Sequence, residues 1–194
     1  MSSRVGIMQG RLSKPLNGKI QSFPISSWEN EFYKAQKIGF KLIEWVLDEN
    51  IDENPILKSQ LSKKIENIKK ETGVETNSIC CDYFMSNSLS KNSDSFNKKN
   101  LDIFNKLIEE SCPSNNIKII DLPLVGKESL KQNKIAEDYK NLLLKLEKKI
   151  FDNNLIISLE TDLNPIELKN FLKNFDKKVI TVNYDTGNSA FWQF

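Results

Sequence analysis

Histidine is absent from all 194 residues. That absence excludes Ser-His-Asp and Cys-His nucleophile systems, the H-E-x-x-H zinc helix and any Cys₂His₂ finger within this chain. Arginine is scarce too: only Arg4 and Arg11 carry a guanidinium, and lysine supplies the remaining positive charge. The net charge is +2 and the basic residues are spread along the chain, so no nucleic-acid footprint stands out. The three cysteines, Cys80, Cys81 and Cys112, form no C-x-x-C pair, and their odd number argues against a disulfide framework. Buried free thiols in a reducing cytoplasm are the expectation. Met1 to Gln9 lacks the charged-then-apolar order of a signal peptide, and no apolar run approaches the roughly 18 residues of a membrane span. A cytoplasmic protein without a membrane partner is therefore expected.

What is present is length enough for a core. With 39% apolar and 28% charged residues, the composition suits a single domain over residues 1–194. The length falls slightly short of a complete eight-fold β/α barrel, which needs roughly 250 residues and seldom fewer than 200.

The chain alternates strand-like and helix-like segments. Arg4 to Gln9, Lys41 to Leu47, Glu75 to Phe84, Ile117 to Val125, Leu155 to Leu159 and Val179 to Val182 read as six strands. Pro123 is expected to end the fourth near Leu122. Between them, five helices are marked by apolar residues at helical spacing. Trp28, Phe32, Ala35 and Ile38 lie on the first, with Ser26 and Glu29 as a capping box and Gly39 as its stop. Leu57, Leu61, Ile65 and Ile68 follow Asn54-Pro55 on the second, and Leu101, Phe104 and Ile108 precede Pro113 on the third. Tyr139, Leu142, Leu143, Leu146 and Ile150 line the fourth; Leu168, Phe171, Leu172 and Phe175 follow Asn164-Pro165 on the fifth. Strands rich in Val, Ile and Leu, recurring roughly every 25 to 40 residues, describe βα units in a parallel sheet.

Ligands of such arrays bind beyond the carboxyl ends of the strands. Those ends offer Gln9 and Arg11, Glu44, Asp82, Asp121, Glu160 and Asp185 in turn. Carboxylates are rarely buried unless paired, so core packing does not explain this recurrence; a site does, or N-caps and surface residues of the following loops. Asp121, just before Pro123, reads better as a cap or surface residue. Glu160 and Asp185 give the strongest signal. Neighbouring strands lie about 4.8 Å apart, so both carboxylates can meet one Mg²⁺ or Mn²⁺, or Co²⁺ or Zn²⁺ if a histidine joins them.

Four stretches, Gly6-Ile7-Met8-Gln9-Gly10-Arg11-Leu12, Gly39-Phe40-Lys41-Leu42-Ile43-Glu44-Trp45, Ser158-Leu159-Glu160-Thr161-Asp162 and Asn183-Tyr184-Asp185-Thr186-Gly187-Asn188, resemble sugar phosphate isomerase/epimerase proteins of the xylose isomerase-like TIM barrel superfamily. The resemblance implies an incomplete α/β (β/α) TIM barrel of about six parallel strands and five helices, lacking the last two βα units. It implies Glu160 as metal ligand and proton-transfer residue, Asp185 as metal ligand, and Glu44 as an acidic position of less uniform role. The family's remaining histidine and second glutamate belong to strands seven and eight, so a C-terminally truncated chain is expected. The family's chemistry is metal-assisted proton transfer through a cis-enediolate of a sugar or sugar phosphate. With half the ligand set, Mn, Mg, Co or Zn would be weakly held and the isolated chain inactive.

Other residues carry two readings. Arg11 and Lys14 can hold a phosphate or be solvated loop charges. Asp82 and Asn188 can touch substrate, Asn188 and Thr186 can support Asp185, and a plain turn serves equally for the latter two. Phe23, Trp28 and Trp45 can wall a sugar pocket or pack under helices; Phe191 and Trp192 can wall a pocket or lie exposed. The Cys80-Cys81 pair reads as buried structural thiols. The polar stretch Ser86 to Asn100 reads as a solvated loop before an active-site loop. Two functional alternatives stand beside the enzyme: a non-catalytic βα module that binds a sugar or a partner, and half of a barrel that another chain completes. A relative of the superfamily's apurinic endonucleases is nearly excluded, because those use a multi-histidine metal cluster. Unpaired first and last strands invite homo-oligomerisation.

Overall fold

A computed structural model describes residues 5–15, 18, 21–90 and 97–192. Arg4, the 91–96 portion of the Ser86–Asn100 stretch, Gln193 and Phe194 lie outside these residues. Six strands, β1 (Ile7–Met8), β2 (Ile43–Val46), β3 (Ser78–Cys80), β4 (Ile119–Leu124), β5 (Ile156–Thr161) and β6 (Ile180–Val182), form one sheet in chain order. Every neighbouring pair is parallel, and β1 and β6 are its two edges. The array is an open, incomplete barrel.

Five helices carry the crossovers: α1 (Trp28–Ile38), α2 (Ser62–Thr72), α3 (Lys98–Lys106), α4 (Asn133–Asp152) and α5 (Pro165–Leu172). A short sixth, α6 (Thr186–Trp192), follows β6. No helix among the described residues is long and apolar enough to cross a membrane.

The caps are partly those read from the sequence. Gly39, at φ 92°, closes α1, and Asn164 with Glu167 forms a capping box on α5. The N-cap of α1 is Ser27 rather than Ser26, and its hydroxyl pairs with that of Ser13 at 3.0 Å, so the Ser26–Glu29 box is not formed. Asn54 caps a 3₁₀ turn, Pro55–Leu57, and not α2 itself. Its buried amide also accepts from Trp45 Nε1 and donates to the Val46 carbonyl, each at 2.9 Å, which ties that turn to β2.

Three boundaries differ for physical reasons. The third strand ends at Cys80, because Tyr83–Ser86 turns into a helical segment whose Phe84 packs edge-on against Phe104 of α3. An apolar run reports burial, not strand. Pro113 does not stop the third helix: a π-helical turn, Leu107–Ser111, widens the spiral, and Pro113 falls early in the following turn, where an N–H is dispensable. Nor does Pro123 end β4. Asp121 presents its carbonyl toward β3, accepting from Cys81 N at 3.0 Å, and Pro123 faces the same side one period later. The β3 ladder has already ended there, so the absent N–H breaks no pairing, and β4 continues to Leu124 beside β5.

Alternation along the strands separates two faces. Ile43, Trp45, Ile79, Ile120, Leu122, Ile157 and Leu159 join the buried apolar core beneath the helices. The opposite face is polar: Cys80, Asp121, Ser158 and Thr181 lie in register across β3 to β6. Phe23, Trp28 and Trp45 stack with ring centroids 5.4 to 5.5 Å apart in the core under α1, which is the packing role.

Candidate functional site

The polar face opens at the carboxyl ends of the strands, and its centre is Asp121. This residue is 2% exposed, mid-strand and on the inner face, neither a cap nor a surface group. The expectation failed because it rested on a strand ending at Leu122. Period-2 counting from the core residues Ile120 and Leu122 places Asp121 inward.

Asn183, just past β6, donates its Nδ2 to Asp121 Oδ2 at 3.0 Å and to Glu160 Oε2 at 3.2 Å. The other Glu160 oxygen accepts from Asn188 Nδ2 at 2.6 Å. Burial pushes the Glu160 carboxyl above its usual range and the Asp185 charge adds to this, while the Asn188 bond opposes it. Asp121 is pushed up to about 8, first by burial and then by the charges of Glu160 and Glu44. Its Oδ1 is buried without a protein partner.

Asp185 is half-buried and turns its Oδ1 to the N–H groups of Gly187 (2.6 Å) and Asn188 (3.0 Å), at the start of α6. Asn188 therefore joins the two expected ligands, its backbone on Asp185 and its side chain on Glu160. Thr186 is the first residue of that helix, so the segment is not a plain turn.

Across the mouth, Asp82 accepts from Gln21 Nε2 at 2.5 Å and from the Cys80 thiol at 3.2 Å. Burial raises its carboxyl, against the Gln21 and Cys80 bonds. Glu44 is raised chiefly by burial, eased by a hydrogen bond with Ser78. Arg11 is exposed and meets Gln21 Oε1 at 3.4 Å, so its hydrogen-bonded link to Asp82 runs through that amide. Lys14 is exposed. Burial pushes the Cys80 and Cys81 thiols far up, which leaves them inert. Phe191 is 74% exposed, and Lys131 places its ammonium 4.8 Å from the Trp192 ring centroid.

The structure thus gathers Asp82, Glu160, Asp185 and Asn188, adds Asp121, and leaves Arg11 on the rim; Glu44, expected at the end of its strand, lies second of four residues in β2, paired with Met8, because β2 continues to Val46. Sequence reading missed Asn183 and Gln21 as partners. Asn183 stood inside a recognised stretch, one residue after a strand; Gln21 gave no local signal.

Among the described residues, no group of three or more His, Cys, Asp or Glu is arranged to hold a metal ion. The donor chemistry agrees. Both Glu160 oxygens already accept from amides, Asp185 Oδ1 is committed to α6, and the chain has no histidine. These residues do not fit a tightly held resident cation.

No protein-family model and no curated protein sequence matches this chain. Solved structures do. It resembles a sugar phosphate isomerase/epimerase from Parabacteroides distasonis at 12% identity and TM-score 0.62, covering 100% of this chain and 68% of that one. A xylose isomerase-like TIM barrel protein from Mycobacterium smegmatis, solved in complex with magnesium, is 19% identical with TM-score 0.59, covering 94% and 64%. The probable 3-DHS dehydratase AsbF of petrobactin synthesis from Bacillus anthracis is 17% identical with TM-score 0.62, covering 93% and 62%. At these identities the likeness establishes the fold alone, a parallel β/α barrel array, and this chain spans about two thirds of the length of those structures.

Proposed function

We propose that this chain is a sugar isomerase/epimerase-like βα protein whose polar mouth binds a small polyhydroxylated carbonyl compound. The observation that carries the reading is Glu160, held by Asn183 and Asn188 at the open carboxyl end of β5. Its raised proton affinity suits a group that takes a proton from the carbon beside a sugar carbonyl. Asn183 and Asn188 fix the orientation of that carboxylate, while Glu44, Asp82 and Arg11 flank the bound hydroxyls. Asp121 stands beside Glu160 on the neighbouring strand, not across a substrate from it, and Asp82 across the mouth is engaged by Gln21 and the Cys80 thiol, so among the described residues no free second carboxylate faces Glu160 to return the proton. We therefore infer that this chain alone turns over little or no sugar. Mn, Mg, Co or Zn would be held weakly at Glu160 and Asp185. Three buried free thiols suit a reducing cytoplasm.

The test is direct. The purified chain is offered a panel of ketoses in D₂O with and without added Mn²⁺, followed by ligand-observed NMR and by deuterium entry beside the carbonyl. Binding without deuterium entry is expected. Robust metal-dependent exchange would overturn the inactivity, and binding of no sugar would overturn the sugar reading.

A second reading, a module whose barrel another chain or copy completes, is favoured by one feature. A groove of about 310 Å³ lies between α5 and the end of β6, lined by Leu163, Leu168, Leu172, Val182, Tyr184 and Asp185, beside an edge strand that lacks a neighbour among the described residues. Mass in solution separates the two readings.

A further inference from the structure

We propose that a second cavity, sharing no residue with the polar mouth, binds a small organic anion that carries an apolar body. This cavity of about 590 Å³ lies between α3 and the segment that follows β2. Its size falls within the roughly 300–1,000 Å³ of small-molecule sites.

The walls follow from the chain. Along α3, Lys99, Ile103 and Lys106 recur at i, i+4 and i+7, so one helix face sets an apolar residue between two cations. From Lys98 to Lys106 that wall runs about 12 Å. The facing wall is Ile51, Leu57 and Lys58, held in place where the Pro55–Leu57 turn packs on the π-helical turn Leu107–Ser111. Ile51, Leu57 and Ile103 are half-buried: each leans on the core and keeps part of its surface at the cavity, as an apolar floor.

Charge sets the sign of the ligand. Lys58, Lys98, Lys99 and Lys106 outnumber Asp52 and Asp102 around the floor. Among the described residues, none of these four lysines forms an ion pair. Elsewhere the chain does pair them: Lys70, Lys134, Lys140 and Lys148 each close on an acid three or four places away on the same helix. Asp102 stands at those same spacings from Lys98, Lys99 and Lys106, and still no pair closes among them. The ammonium groups are left for an outside anion, and the floor for the body attached to it. Lysine is a point charge without a fork, so the site reads charge and apolar body rather than the shape of the head group.

The experiment titrates the isotope-labelled chain with octanoate, octan-1-ol and acetate at low salt and follows the backbone amide signals by NMR. Octanoate is expected to move amides in 51–58 and 98–106, and to bind at least about tenfold more tightly than either the alcohol or acetate. Added salt should weaken it. Lys99→Gln/Lys106→Gln should lose affinity severalfold while its ligand-free spectrum keeps the native pattern, and Lys99→Arg/Lys106→Arg should retain affinity. The proposal is overturned if octanoate moves no amide or only amides outside these two segments. Octan-1-ol or acetate binding as tightly as octanoate overturns it too, as does unchanged affinity in the glutamine variant.

Discussion

Asp121 and Glu160, on adjacent strands of the open barrel, share one donor: the Asn183 amide, at 3.0 and 3.2 Å. Two carboxyls this close and this buried cannot both ionise readily: burial raises the proton affinity of both, and the Glu160 charge helps push Asp121 up to about 8.

The Asp121 proton makes stability pH-dependent. Unfolded, Asp121 titrates near its ordinary 3.8; folded, it holds its proton to about 8. Below about 4 both states are protonated and the group contributes no penalty. As pH rises from there to about 8 the unfolded chain releases the proton and the folded chain does not, so stability falls. Asp121→Asn removes this slope. Thermal midpoints measured from pH 5 to 8 should fall less steeply in the variant, which should melt several degrees higher at pH 8.

Removing the shared donor has the opposite effect. Asn183→Leu leaves Asp121 Oδ2 and Glu160 Oε2 without their amide, and a loss of about 1–3 kcal/mol in urea unfolding is expected. Asn183→Asp adds a third acid to the pair and should cost more at pH 8 than at pH 5.

Asp185 does two things that substitution can separate. Asp185→Asn keeps an oxygen for the N–H groups of Gly187 and Asn188, so hydrogen-exchange protection at the start of α6 should persist. Asp185→Ala should lose that protection, with about 1 kcal/mol of local stability. Weak Mn²⁺ binding, followed by paramagnetic broadening, should disappear in both variants.

Gly10 opens the loop after β1 at φ 90°, and a Cβ there would stand 2.4 Å from the Ser22 carbonyl oxygen. Its N–H and that of Leu12 are gripped by buried Glu31 of α1, at 2.8 and 2.9 Å. Gly10→Ala should destabilise by more than about 1 kcal/mol, through both the left-handed backbone and the clash. Chemical denaturation measures it.

Much of this was legible in the chain. Six apolar runs at βα spacing, Gly39 after α1 and the Asn164–Glu167 box are local signals, because periodicity and cap chemistry are written in neighbouring residues. Asp82, Glu160 and Asp185 were legible for a similar reason: each lies at or just past a strand end, and parallel strands bring such ends together. Glu44 was read as the end of its strand, but β2 runs on to Val46, so it lies within the ladder, paired with Met8. Pro123 misled, since proline disrupts a ladder only where its N–H would have had a partner. Whether β3 still ran beside it was a fact about another strand. Asp121 was lost with it, and Gln21 meets Asp82 across 61 residues with no local pattern to announce it.

The sequence by itself therefore determined the parallel βα order, the absence of histidine chemistry and the row of acids, all properties of residue type and spacing. Only the tertiary structure decided how those acids are held. It gave Asp185 to the start of α6, Glu160 to two amides and Asp121 to the interior, because register and burial decide which donors reach which carboxylate.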